Sequence, residues 1–243
     1  MTELTTTDLR FVVGRIPSDI RLLLKENAGV LFVAGGFVRA VVAGEEINDI
    51  DLWAPDASAL KRIAEQLQRR REAEGQRCKM HHSDNAITLI TENRATVQFI
   101  TRWTFADGPS LVNSFDFTIV QAAVWWGKNG WESTTGAGFY ADLAARRLVY
   151  THPVRVEEAG GSLLRVLKYV KKGYNIQPGS LGGVVARLYS AIDQEKVAAR
   201  SVHLGPGHDQ EKVTAYVITG LLREVDPSLA IDGLDVQNDD HGV

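Results

Sequence analysis

Residues 33–51 contain the pattern that most restricts how this chain folds, a glycine pair followed by two aspartates that are two residues apart. Gly35 and Gly36 end a short apolar run and begin an amphipathic stretch, which predicts a buried strand that turns sharply into a helix. Asp49 and Asp51 lie in a second apolar run, which predicts another strand. Because residues i and i+2 of a strand point to the same face, both carboxylates are expected on one side of a sheet.

The glycine pair and the aspartate pair supply complementary binding groups. Two carboxylates on one face suit Mg²⁺, which takes oxygen ligands and commonly combines one or two carboxylates with the phosphates of a substrate. A glycine turn before a helix lets backbone N–H groups approach a triphosphate. Together these are the parts that nucleotidyl transfer requires. Alone, an aspartate pair is more often a solvated or capping feature and a glycine pair only a turn, so the prediction depends on their occurring together.

The composition excludes several other classes of protein. The chain has 243 residues, 44% hydrophobic and 23% charged, as expected of a globular protein with a proper core. Its net charge of −3 excludes a global positive field for nucleic acid, so such contacts depend on local basic patches. The single cysteine, Cys78, excludes an internal disulfide and fits a reducing compartment. Without a signal peptide or a membrane-spanning apolar stretch, we expect a cytoplasmic protein that makes no membrane contact.

Secondary-structure patterns divide the chain into a mixed α/β part and a helical part. The first part predicts a small sheet around the strand with the aspartates, from a helix starting at 18, a strand at 31–34, a helix at 37–43, a strand at 47–53, a helix at 56–71, strands at 86–91, 95–102 and 115–126, and a hairpin turn at 127–130. The second part predicts helices at 156–172, 181–197 and 209–225. We therefore predict a head domain at 1–152, a helical neck domain at 153–232 and a disordered tail at 233–243.

Three stretches, in order, give the chain a family resemblance. They are Gly35-Gly36-Phe-Val-Arg39 with Asp49-Ile-Asp51, then Asp116-Phe-Thr-Ile-Val-Gln-Ala-Ala123, and then Leu164-Arg165-Val-Leu-Lys168-Tyr-Val-Lys-Lys-Gly-Tyr174. This order resembles the poly(A) polymerase / tRNA CCA-adding group of the DNA polymerase β nucleotidyltransferase superfamily. The resemblance implies an α+β fold, in which a polymerase-β-like head with a small mixed sheet precedes an all-helical neck. It also implies a metal-dependent nucleotidyltransferase that moves a nucleoside monophosphate from an NTP to an RNA 3′ end.

The resemblance further implies a role for individual residues. The metal ligands would be Asp49 and Asp51, holding two Mg²⁺ ions. The nucleotide would be bound by Gly35, Gly36 and Arg39 at the triphosphate, by Asp116 near the ribose, and by Arg165 and Lys168 from the neck. Lys171 and Lys172 continue the neck helix, and they are the basic pair most suited to bind the phosphates of an acceptor RNA.

The chain departs from the family pattern in ways that predict a trimmed and divergent member. Ala40 and Ser162 replace two aspartates, Asn113-Ser-Phe115 stands in place of an arginine pair, and no Glu-Asp-x-x-Arg stretch for choosing C and then A follows Ile176. Many relatives have a third carboxylate on the next strand, whereas residues 96–102 contain no acid. Two carboxylates then suffice, or Asp116 contributes, or the site is weakened.

Other interpretations stay open at several positions. Asp116 would also serve to cap a turn, and an exposed basic face is an ordinary explanation for Arg165 and Lys168. The basic run at 61–79 is interpreted as a solvated helix face, and the tryptophans at 125, 126 and 131 as packing residues with base stacking as the alternative. His81-His82 lacks the partners of a zinc site. For the whole protein, transfer to a protein or small-molecule hydroxyl and a non-catalytic nucleotide- or RNA-binding module are the alternatives.

Overall fold

The structure is a computed structural model that describes residues 1–153, 159–192, 195, 213–215, 217–218 and 222. The chain divides into two compact units, Met1–Pro153 and Val154–Val243. The elements of the first unit are α1 (Thr6–Arg15), α2 (Ser18–Glu26), β1 (Phe32–Ala34), α3 (Gly36–Ala43), β2 (Asp49–Trp53), α4 (Ala57–Ala73), β3 (Cys78–His82), β4 (Ala86–Thr91), β5 (Thr96–Ile100), α5 (Gly108–Asn113), a 3₁₀ turn (Thr118–Val120), β6 (Ala122–Gly127), β7 (Gly130–Thr135), α6 (Phe139–Ala144) and β8 (Arg147–Leu148). In the second unit, the described elements are α7 (Ala159–Lys171), β9 (Asn175–Ile176) and α8 (Pro178–Ser190).

One mixed sheet organises the first unit. Its strand order is β3-β4-β5-β2-β1-β6-β7, so β2 lies in the interior. β2 pairs with β5 in parallel, while the other neighbouring strands pair antiparallel. A parallel pair needs a crossover connection, and here the chain between β2 and β5 forms α4, β3 and β4. The mixed sheet and its surrounding helices confirm the predicted α+β class.

The two faces of this sheet differ in how they are covered. On one face, Ile50, Leu52, Val97 and Phe99 are at most 1% exposed. α4 packs against β3, β4 and β5 and buries its own apolar stripe, Leu60, Ile63, Ala64 and Leu67. On the other face, α5 and nearby aromatic rings cover one end, around Phe32, Ala34, Trp53, Ile100 and Ala123. The aspartates of β2 lie on this second face, beyond the part that the aromatic cluster covers.

The prediction of one continuous strand at 115–126 is wrong in its first half. Residues Thr118–Val120 form a 3₁₀ turn, and the strand begins only at Ala122. Phe117 and Ile119 are fully buried, and the Thr118 hydroxyl donates a hydrogen bond to Asp142 at 2.6 Å. β-branched and aromatic composition therefore reflects burial here, and burial alone does not distinguish a strand from a buried turn.

The interpretation of the basic run at 61–79 as a solvated helix face is also wrong in part. Arg71, near the end of α4, is 1% exposed. Its Nε donates to Asp19 at 2.9 Å and its Nη1 donates to the Thr91 hydroxyl at 2.9 Å. Arg94 Nη1 reaches the same Asp19 carboxylate at 2.8 Å. The buried side chain of Arg71 therefore links α4 to α2 and β4 through hydrogen bonds.

The described part of the second unit is mainly helical, as predicted. α7 buries Val166 and Tyr169, and α8 buries Val184 and Leu188. The predicted helices at 156–172 and 181–197 correspond to α7 and α8 within the described residues. The predicted helix at 209–225 and the predicted tail at 233–243 lie largely or wholly outside the described residues.

Candidate active site

Asp49 and Asp51 lie on one face at the start of β2, as the alternation of the sequence predicts. Both are half-buried, whereas Ile50 and Leu52 between and after them point to the opposite face and are buried. β1 on one side and β5 on the other hold β2 in place. The two carboxylates are therefore carried on a rigid interior strand, with part of each side chain accessible.

The glycine turn lies beside these aspartates. β1 runs antiparallel to β2, with Val33 opposite Leu52. Continuing that register by one residue sets Ala34 beside Asp51, so that the chain turns at Gly35 next to the aspartate end of β2. Gly35 has φ +74° and ψ −126°, a conformation that is essentially restricted to glycine. Its N–H donates to the Ala122 carbonyl at 2.9 Å, which fixes the turn against β6.

The helix that follows this turn begins without a side-chain cap. Gly35 is the N-cap residue of α3, and no side chain accepts a hydrogen bond there. The first N–H groups of an α-helix have no partner within the helix, and together with the helix dipole they attract anions. The structure therefore places the N-terminus of α3, which can bind an anion, next to two carboxylates, which can bind a cation.

Phe115 and Asp116 are brought to the same turn from a distant part of the chain. A β-carbon added to Gly35 would lie 3.4 Å from Cζ of Phe115. The Thr151 side chain donates to the Phe115 carbonyl at 2.6 Å, and its N–H donates to the Asp116 carbonyl at 3.0 Å. Asp116 is 4% exposed. The segment with Asp116 is thus fixed near the glycine turn, and the proposed contact between its side chain and a ribose stays a prediction.

Arg39 is placed differently from an exposed phosphate ligand. It lies in α3 and is 3% exposed. Its Nη2 is 3.3 Å from Oε2 of Glu45, and Arg146 Nη1 is 3.8 Å from Oε1 of the same carboxylate. A phosphate would have to compete with Glu45 for this guanidinium. Nothing in the sequence pattern indicated Glu45 as its partner.

The predicted neck residues lie on or directly after α7 in the second unit. Arg165 and Lys168 are half-exposed, Lys171 is exposed, and Lys172 follows the helix with its N–H bonded to the Tyr169 carbonyl at 3.0 Å. Val166 and Tyr169 are buried, and the exposed residues of α7 include the apolar Leu167 and Val170 as well as Lys171. The roles of the basic residues in binding nucleotide or RNA stay predictions.

The tryptophans take part in packing, which confirms the structural interpretation of these residues. Trp125 packs edge-on against Phe32 with ring centroids 5.6 Å apart, and its Nε1 donates to Glu132 at 3.0 Å. Trp126 and Trp131 face each other across the β6–β7 hairpin with centroids 5.2 Å apart.

The position of Gln98 beside the aspartate pair was not predicted from the sequence. In the parallel pairing of β2 with β5, it stands opposite Asp51. The alternation within β5 predicts only that Gln98 lies on a different face from Val97 and Phe99. Among the described residues, no three His, Cys, Asp or Glu side chains group to hold a metal.

The two glycines of the turn permit a matched test of its backbone. We expect Gly35→Ala to lower the free energy of unfolding by about 1–3 kcal/mol, because the positive φ of this residue strains any L-amino acid. Gly36→Ala is the control, since an added carbon there meets nothing within 4 Å and alanine favours a helix. Thermal unfolding of both variants measures the difference. Equal effects of the two substitutions would show that the turn conformation contributes no specific strain.

Solved structures with a similar fold are CCA-adding and tRNA-processing enzymes. A Thermotoga maritima CCA-adding enzyme complexed with tRNA is 18% identical with a TM-score of 0.55, and the match covers 95% of this chain and 53% of that one. A CCA-adding enzyme with ATP is 17% identical with a TM-score of 0.55, covering 91% and 52% of the two chains. A tRNA-processing enzyme with CTP is 18% identical with a TM-score of 0.53, covering 88% and 57%. At this identity the likeness shows the nucleotidyltransferase fold alone, and the chain spans about half the length of these enzymes.

Sequence comparison identifies a narrower group. No curated protein sequence matches the chain. None of the helices in the described ranges has the length and apolar character needed to cross a membrane. A family model described as Gabija anti-defense 2 family protein matches residues 4–153, which is nearly the whole first unit with the glycine turn, the aspartate pair and Gln98. The chain therefore belongs to the Gabija anti-defense 2 family.

Proposed function

We propose that this protein is a Mg²⁺-dependent nucleotidyltransferase that moves a nucleoside monophosphate from an NTP to a hydroxyl, with an RNA 3′ end as the acceptor. The observation that carries the proposal is the position of Asp49 and Asp51 on one face of an interior strand, beside the uncapped start of α3. Carboxylates and helical N–H groups in one place match the opposite charges of a metal–triphosphate complex. The shared fold with CCA-adding enzymes agrees with this activity.

The donor set fits Mg²⁺, because two half-buried carboxylates on one face are hard oxygen ligands that leave room for substrate phosphates. In the proposed site, Asp49 and Asp51 hold two ions. Bound Mg²⁺ would lower the pKa of the attacking hydroxyl and neutralise charge on the leaving pyrophosphate. The acceptor oxygen bonds to the α-phosphorus, the bond between the α- and β-phosphates breaks, and the hydroxyl proton passes to water.

The remaining residues in this proposal bind and orient the substrates. In this proposal the N–H of Gly36, at the start of α3, binds the triphosphate, and the buried Arg39–Glu45 pair holds α3 in position for it. Gly35 does not bind through its own N–H, which donates to the Ala122 carbonyl, and it instead forms the turn. Asp116 approaches the ribose. For Arg165 and Lys168, on α7 of the second unit, nucleotide binding stays a prediction. Such positioning provides most of the catalysis in phosphoryl transfer, since little covalent chemistry is asked of the protein.

A second acceptor class has a specific observation in its favour. The description of the family, Gabija anti-defense 2, names an action against a defence called Gabija. Transfer of a nucleotide to a protein hydroxyl of that defence would be a direct way to act against it. The aspartate pair and glycine turn serve either acceptor, because they handle the donor nucleotide.

Labelling separates these acceptors. The protein is incubated with each α-labelled NTP, Mg²⁺ and an extract from cells that carry Gabija, and RNA and protein are then resolved. Label in RNA that is sensitive to ribonuclease supports the RNA acceptor, and label in protein supports the second class. If neither fraction is labelled and no pyrophosphate is released with any NTP, the proposed activity is refuted.

Lys171 and Lys172, at the end of α7 and directly after it, give a test of the RNA acceptor. We expect Lys171→Ala/Lys172→Ala to weaken binding of single-stranded RNA, and to reduce the slope of log affinity against log salt concentration by about one for each lost phosphate contact. Fluorescence anisotropy across a salt series measures this. Lys61→Ala/Lys128→Ala removes two exposed charges from the first unit and is the matched control. The same slope in wild type and both variants would make Lys171 and Lys172 ordinary surface residues and would favour the protein acceptor.

A further inference from the structure

Gln98 stands directly beside the aspartate pair. β5 runs parallel to β2, and the register sets Gln98 opposite Asp51 and Thr96 opposite Asp49. Residues that are paired across neighbouring strands lie about 5 Å apart and point to the same face. The Gln98 side chain therefore projects from the same face of the sheet as both carboxylates, one strand away from them.

Gln98 is nearly buried, and its amide is free to bind a ligand at the aspartate site. The residue is 9% exposed, and its strand neighbours Val97 and Phe99 are fully buried on the opposite face. Among the described residues, none forms a hydrogen bond with its side-chain amide. A primary amide offers two donors and a carbonyl oxygen, and the amide atoms of Gln98 are not among the fully enclosed side-chain atoms that lack a partner, so they can be reached from outside. A ligand at the aspartate site would supply the missing partner.

We propose that Gln98 is the third binding group of the Asp49–Asp51 site, and that its amide oxygen contributes to holding a divalent cation that arrives with the nucleotide. This inference rests on the proposed function. Amide carbonyls belong to the oxygen ligands that hard cations accept in proteins. Unlike a carboxylate, the amide adds no charge, so the site offers two negative charges against the four positive charges of two divalent ions. The triphosphate supplies the balance, and ion binding therefore depends on the nucleotide.

Manganese binding provides a readout that is independent of turnover. Free Mn²⁺ is measured by electron paramagnetic resonance during titration of the protein, with and without an ATP analogue that has a methylene group between the α- and β-phosphates. The Mn²⁺ that the analogue binds in the absence of protein is measured in the same way and subtracted. For wild type we expect binding that is at least about tenfold tighter with the analogue. Gln98→Met keeps the approximate volume and removes the amide, so it should weaken the binding with analogue by about tenfold.

An added carboxylate tests the charge argument. Gln98→Asp should tighten binding of Mn²⁺ alone by about tenfold or more, because it places a third negative charge next to the first two. Thr88→Asp is the matched control, since Thr88 pairs with Gln98 on β4 and lies on the same face one strand farther away. We expect a clearly smaller gain from that variant. Circular dichroism melting checks that each variant is folded.

The possible outcomes separate this inference from the proposed function. If Gln98→Met binds Mn²⁺ and analogue as wild type does, Gln98 is only a packing residue and the inference is overturned. If Gln98→Asp and Thr88→Asp raised the affinity for Mn²⁺ equally, the inference that ion binding at this site depends on the nucleotide would be overturned. If folded wild type binds no Mn²⁺ even with the analogue, the proposed function fails together with the inference.

Discussion

Asp51→Asn is expected to lower nucleotidyl transfer by about a thousandfold or more while leaving the fold intact. The substitution keeps the shape of the side chain and removes the negative charge that holds a hard cation, so most of the charge stabilisation in the transition state is lost. Initial rates of pyrophosphate release measure the effect. Asp49→Asn should behave in the same way, since both carboxylates share the accessible face of β2.

Asp84→Asn is the matched control for this experiment. Asp84 is an exposed aspartate of the first unit, in the turn between β3 and β4. We expect its rate and its melting temperature to equal those of wild type. A rate near the wild-type value for Asp51→Asn, with a wild-type control, would show that the aspartate pair is not the metal site of the reaction.

Arg71→Met is expected to have the largest effect on stability, lowering the free energy of unfolding by about 3–5 kcal/mol. Removing the guanidinium takes away the partner of Asp19 inside the protein and leaves the Thr91 hydroxyl without its 2.9 Å donor. Arg94 still contacts Asp19, but it is 29% exposed and approaches from the β4–β5 turn. Urea unfolding followed by circular dichroism measures the change.

The same helix provides the control for Arg71. Arg69 is 73% exposed and forms only a surface ion pair with Glu65 at 3.8 Å. Arg69→Met should therefore change stability by less than about 0.5 kcal/mol. If the two substitutions changed the free energy of unfolding by similar amounts, the buried hydrogen bonds of Arg71 would not be important for stability.

The sequence predicts the parts of the site that are local in the chain. The strand with Asp49 and Asp51, and the helix that begins at the glycines and ends at Gly44, follow from alternation, glycine conformation and short-range spacing. The structure confirms both elements, with β2 beginning two residues later than predicted. These features need no knowledge of which strands are neighbours.

The parts of the site that depend on long-range neighbours could not be predicted. Placing Gln98 beside Asp51 requires the parallel register of two strands, which alternation alone does not determine. The partner of Arg39 and the burial of Arg71 likewise depend on contacts with other elements. A run of arginines has the same pattern whether it faces solvent or, as for one member here, a carboxylate inside the protein.

The crossover between β2 and β5 has a consequence for the order of folding. The glycine turn and the aspartates are close in sequence, and each hairpin among β3, β4 and β5 closes over a short loop. Pairing of β2 with β5 must instead wait for the chain that forms α4, β3 and β4, because closing a long loop is entropically unfavourable and slow. We therefore expect nucleotide-dependent ion binding to appear late in refolding, after helical signal has recovered. Because the hydrogen bonds of Arg71 hold α4 in place, removing them should delay the pairing that brings Gln98 beside Asp51. The glycine turn at Gly35 should be almost unaffected.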